Sequence, residues 1–111
     1  MNMKRKPAHP GRILKNLYLQ PLALSMTKLA EILGISRKTL SEVTHERKAV
    51  MPEMALRLSQ AFGTTPDLWL NLQKKHDLWC VMNCSDDWKR VNPIAELYER
   101  KSVSDAQTSE L

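Results

Sequence analysis

The sequence predicts an all-α domain of five helices with a C-terminal helical extension, and three observations carry that prediction. Apolar residues recur at three- and four-residue steps along most of the 111 residues, and no stretch alternates apolar and polar long enough to form a strand. Capping residues, prolines and glycines stand where these periodic runs begin and end. At 42% hydrophobic and 26% charged residues the composition is that of a globular domain, which excludes collagen-like and wholly disordered chains.

Pro10-Gly11 opens the first helix, with Ile13, Leu14 and Leu17 as its apolar face and a break at Pro21. Residues 18–24 read as a connector. Ser25 caps a second helix, about 26–33, that carries Leu29, Ala30, Ile32 and Leu33 and ends at Gly34. Ser36 caps a third, about 37–45, seated by Leu40 and Val43. Pro52 opens the fourth, whose inner face is Met54, Ala55, Leu58 and Phe62, and Gly63 ends it. Thr65-Pro66 starts the fifth, which carries Leu68, Trp69, Leu72, His76, Trp79 and Cys80 to about Asn83. Beyond Ser85-Asp86-Asp87 a short helix from Pro93, with Ile94, Leu97 and Tyr98, and a frayed tail from Ser102 are expected. The organisation is thus a basic arm over 1–8, a helical domain over 9–83 and an extension over 84–111.

Charge is divided unevenly. Residues 1–63 hold 11 Lys and Arg against 4 Asp and Glu, whereas 64–111 hold 6 against 8, so a basic half is joined to a faintly acidic one. Such asymmetry points toward nucleic acid. No apolar run approaches the ~20 residues of a membrane span, and the basic start is not followed by a signal-peptide apolar region, so a cytoplasmic protein is expected. Cys80 and Cys84 read as reduced thiols rather than a disulfide framework.

The sharpest signal runs from Met26 to His45. Leu29-Ala30, Leu33-Gly34-Ile35, Leu40 and Val43 stand at the spacing of a helix-turn-helix: the small Ala30 lets two helices approach, Gly34 takes the turn, Ile35 plugs the corner, and Leu40 and Val43 seat the second helix. An ordinary αα-corner shares some of these features. In a helix-turn-helix the second helix enters the major groove, so Ser36, Arg37, Lys38, Ser41, Glu42 and His45 are expected at base edges. Thr27, Lys28, Arg47 and Lys48 are expected on phosphates. Lys4, Arg5 and Lys6 either reach DNA or form a solvated terminus. One such unit buries too little surface for operator affinity, so a homodimer on half-sites about 34 Å apart is expected.

His9-Pro10-Gly11-Arg12-Ile13-Leu14, Leu29-Ala30, Leu33-Gly34-Ile35-Ser36-Arg37, Pro52 to Leu58, Phe62-Gly63-Thr64 and Trp69-Leu70-Asn71-Leu72-Gln73 followed by Asp77-Leu78-Trp79 resemble the HigA (VapI-type) antitoxins, in the Xre/Cro-type helix-turn-helix superfamily. The resemblance covers about residues 9–80. It implies a Cro/C1-repressor-like fold and a dimeric antitoxin that represses its own operon and binds a HigB-type, RelE-like ribonuclease toxin. A stand-alone transcriptional regulator is the alternative. The chain departs from the family pattern at His45-Glu46, where Asn-Gly is usual, at Met51 in place of Thr, and at His76 where Tyr is frequent. The first departure removes a favourable helix-ending glycine and the second a capping hydroxyl.

Weaker constellations remain. His76, Cys80 and Cys84 share a helix face, but a rise of about 1.5 Å per residue sets the outer two about 12 Å apart, too far to share one ion, so no metal is expected. Catalysis lacks an oriented base and an anion-stabilising pocket, and no cofactor motif is present. Trp69, Leu72, His76, Trp79 and Cys80 are instead expected at a dimer interface, where tryptophan is enriched.

Overall fold

A computed structural model describes residues 5–95. Helix α1, Pro10–Ile13, runs directly into a π-helical segment, Leu14–Leu19, and is followed by α2, Met26–Leu33, α3, Arg37–Thr44, α4, Pro52–Phe62, and α5, Pro66–Cys84. A short 3-10 turn, Asp87–Arg90, completes the described elements, which contain no strand. Of the expected C-terminal helix, Ile94 is exposed, while Leu97, Tyr98 and the tail lie outside the described residues.

The helix starts form as the side chains dictate. The Oγ of Ser25 accepts the Lys28 N–H at 3.0 Å, that of Ser36 accepts the Thr39 N–H at 3.0 Å, and Thr65 Oγ1 accepts from Leu68 at 3.2 Å. Met51 precedes α4 with no side-chain cap, and Pro52 at the first turn needs none for its absent N–H. His9 was not expected as a cap, yet its ring Nδ1 accepts the Gly11 N–H at 2.9 Å. The ring is buried, and desolvation, with His76 nearby, lowers its pKa below the ordinary 6.5.

Three helical segments end alike. The N–H groups of Gly34 and Ile35 reach back to Glu31 and Ala30, both at 3.1 Å; those of Glu46 and Arg47 to Val43 and Glu42, at 3.0 and 2.8 Å; those of Ala23 and Leu24 to Gln20 and Leu19, at 3.1 and 2.9 Å. Each pair is a Schellman closure, which needs a left-handed residue. Gly34 takes φ 71° without strain, whereas Ala23 (51°) and Glu46 (63°) hold a β-carbon there. The end of α3 thus keeps the shape a glycine would favour, with glutamate in its place.

Leu14, Leu19, Leu29, Leu33, Leu40, Val43, Val50, Ala55, Leu58 and Trp69 form the core, and Tyr18, Ile35, Met54 and Phe62 pack against it. The inward assignment of Leu17 is corrected, and Ile32, named among the apolar residues of the second helix, lies outside the core. Leu17 is 61% exposed because the π winding turns the inner face from Leu14 to Leu19, one i→i+5 step along, rather than to the third residue of an α-helix. Ile32 is 51% exposed because α2 is only eight residues long and Leu29, Ala30 and Leu33 already fill its contact stripe.

Two close approaches join the layers. A β-carbon on Gly11 would stand 1.8 Å from the Val43 carbonyl oxygen, so α1 touches the end of α3 backbone to backbone. Arg57 of α4 donates to the Leu33 carbonyl at 2.7 Å and pins the end of α2.

Candidate nucleic-acid interface

Leu40 and Val43 are buried on the inner side of α3, which leaves Ser36, Arg37, Lys38 and His45 exposed and Ser41 and Glu42 half-buried. Arg37, Lys38, Ser41 and Glu42 therefore lie on the side of α3 away from its seating residues, with Ser36 and His45 at its two ends as caps. Thr27 and Lys28 are exposed in the first turn of α2, where unpaired N–H groups and the helix dipole favour an anion. Arg47 and Lys48 are exposed beyond α3. Among the described residues none of Lys28, Arg37, Lys38, Arg47 and Lys48 makes an ion pair; the pairs present are Arg57 with Glu53, His76 with Asp77, Lys89 with Asp86 and Arg90 with Asp87. Among the described residues no carboxylate therefore stands within ion-pair distance of these charges.

Two details bear on hydrogen-bonding capacity. The Ser36 hydroxyl, expected at a base edge, donates to Thr39 Oγ1 at 2.9 Å while accepting the Thr39 N–H, so its proton is already committed. The Thr39 hydroxyl, which accepts here, still has its own proton to donate. Sequence reasoning passed over Thr39 because it lies between the inward and outward faces, although the Ser-x-x-Thr spacing was a usable signal. The second detail is His45, whose Nδ1 donates to the Ser41 carbonyl at 2.8 Å. In the neutral ring this leaves Nε2 as an acceptor, suited to the exocyclic amine of cytosine or adenine.

The expected dimer face divides. Trp69 is 0% exposed: it lies against Tyr18 and Phe62, at ring-centroid distances of 5.4 and 6.4 Å, and donates from Nε1 to Thr64 Oγ1 at 2.8 Å. It belongs to the core of its own chain and has no surface to offer a partner, because Tyr18 of the π-helical segment and Phe62 of α4 cover it. Leu72, His76, Trp79 and Cys80 are half-buried, His76 edge-on to His9 at 5.0 Å and Cys80 Sγ 3.9 Å from its Nε2. Leu78 and Val81, one turn apart on the other side of α5, are exposed. The Lys6 ammonium stands 5.9 Å from the centre of the Trp79 ring. Among the described residues no three His, Cys, Asp or Glu side chains converge as metal ligands, and no helix is long and apolar enough to cross a membrane.

Comparison with known proteins places this arrangement. The helix-turn-helix family model matches residues 14–69. An uncharacterized HTH-type transcriptional regulator of Escherichia coli K12, YbaQ, is 41% identical over 100 residues, covering 87% of this chain and 88% of its own. Antitoxin HigA-1 of Vibrio cholerae is 36% identical over 92 residues, covering 82% and 87%. The structure of antitoxin GraA in complex with its operator superposes with a TM-score of 0.76 at 34% identity, covering 85% of this chain and 97% of that one.

Proposed function

The chain belongs to the helix-turn-helix family, in its HigA antitoxin branch, and from that premise we propose that it is an operator-binding antitoxin that represses its own operon and neutralises a RelE-like ribonuclease toxin of the HigB type. The observation that carries the DNA part is the exposed Arg37 and Lys38, in no ion pair among the described residues, on a helix locked from behind by Leu40 and Val43. Arginine and lysine at that place match guanine O6 and N7; Ser41, Glu42 and His45 supply further polar groups, with Ser36 at the helix start. Thr27, Lys28, Arg47 and Lys48 hold the phosphates on either side.

In this reading two copies act on a palindrome in the cytoplasm, paired through the half-buried Leu72, His76, Trp79 and Cys80 of α5. We assign the chain no enzymatic role and no cofactor. Titration of the purified protein against its own upstream DNA and a scrambled duplex at several salt concentrations tests the proposal. A preference of ~10³ or more with a negative log-log salt slope supports it, and equal weak binding overturns it. The identity to YbaQ, which bears a regulator's name, favours a second reading as a regulator without a toxin. Growth rescue on co-expression with a short ribonuclease-like frame beside the gene separates the two.

A further inference from the structure

The surface beside the end of α3 is more basic than the recognition helix alone accounts for. Arg12 and Lys15 stand three residues apart on the first helical segment and are both exposed. Gly11 lets that segment touch the Val43 carbonyl, so both side chains arrive next to the C-terminal turn of α3. One groove there is lined by Arg12, Lys15, Asn16, Thr44, His45 and Glu46. A second shares Lys15, Thr44 and His45 and runs past Leu19 and Leu24 to Ser25 and Met26, where α2 begins. A continuous path therefore leads from the α2 N-terminus, across Lys15 and His45, to Arg12. Neither Arg12 nor Lys15 is in an ion pair among the described residues; Glu46 is the one carboxylate on the path and opposes an anion there.

We infer that Arg12 and Lys15 form a phosphate-contacting track that holds the DNA backbone beside the end of the recognition helix. The inference rests on the DNA-binding reading and adds two positioning residues to it. Basic side chains beside a helix C-terminus also favour its dipole, which would be a purely structural use of the same charges. Salt dependence separates the two, because each neutralised phosphate contributes about −0.9 to the slope of log affinity against log salt, or about a 3.5-fold loss over a fourfold rise in salt.

The experiment compares full-length wild type, Arg12→Ala, Lys15→Ala, the double variant and Lys74→Ala on its own upstream duplex and a scrambled one, from low to physiological salt. Each single substitution is expected to make the slope shallower by about 0.9, the pair by about 1.8, with equal fold losses on both duplexes. Lys74 lies on α5 outside both grooves, and its variant keeps the wild-type slope. Glu46→Gln is expected to tighten binding to both duplexes. Wild-type slopes for Arg12→Ala and Lys15→Ala, with or without a lower melting temperature, overturn the inference while leaving the DNA-binding reading intact. A wild type with no salt slope overturns that reading itself.

Discussion

The side-chain Oε1 of Gln73 accepts a 2.7 Å hydrogen bond from the backbone N–H of Val50, 23 residues earlier and buried, while Gln73 Nε2 donates to Asp77 at 2.9 Å. The segment that leaves the recognition helix is thereby tied to α5. Gln73→Leu would leave the Val50 N–H without a partner in a dry place, and a loss of about 1–3 kcal/mol in folding stability is expected. Urea unfolding at unchanged m-value checks this; a loss below about 0.5 kcal/mol would show that water reaches the amide.

Gly11 faces Val43 with no room for a side chain. Gly11→Ala must push the first helical segment off α3, a backbone clash that no rotamer relieves, so a destabilisation of about 3 kcal/mol or more is expected. Thermal melting followed by circular dichroism measures it, and a melting temperature within a degree or two of wild type would contradict the close approach.

Glu46 and Ala23 hold left-handed backbone at φ 63° and 51°. Replacement of either by glycine relieves the β-carbon contact but adds freedom to the unfolded chain, and the balance favours the variant by about 0.5–1 kcal/mol. The same denaturant series reads this, with destabilisation as the contrary result.

Arg37 is exposed, in no ion pair among the described residues and set on the first turn of α3. Arg37→Ala is expected to weaken operator binding by about 1–3 kcal/mol and to relax preference at one base pair, with the fold unchanged. Competition against single-base operator variants reports it; uniform weakening across all variants would make Arg37 a phosphate contact instead.

His9 is buried with its Nδ1 capping α1, and desolvation is the main cause of its lowered pKa, with His76 and Lys6 acting the same way and Glu46 and Asp77 opposing. The unfolded chain thus binds the proton more readily. Stability is full above pH 6.5 and falls as pH drops below that toward the lowered folded value. His9→Asn keeps a capping acceptor and should flatten this part of the profile. Unfolding free energy measured between pH 8 and 5 tests it, equal pH dependence in both proteins being the contrary result.

Much of this was legible from residues alone where cause and effect are local. Ser25, Ser36 and Thr65 cap the helices they precede, Gly34 and Gly63 end two, and Leu40 with Val43 determines which side of α3 faces outward, because capping geometry and the helical period act within a few residues. What only the tertiary structure decided depends on groups far apart in the chain. The enclosure of Trp69 by Tyr18 and Phe62, the tie between Gln73 and Val50, and the arrival of Arg12 and Lys15 beside His45 all follow from how helices meet. Periodicity assigns a face to a helix but not the neighbour that covers it; contact between distant segments is set by packing, which no local pattern encodes.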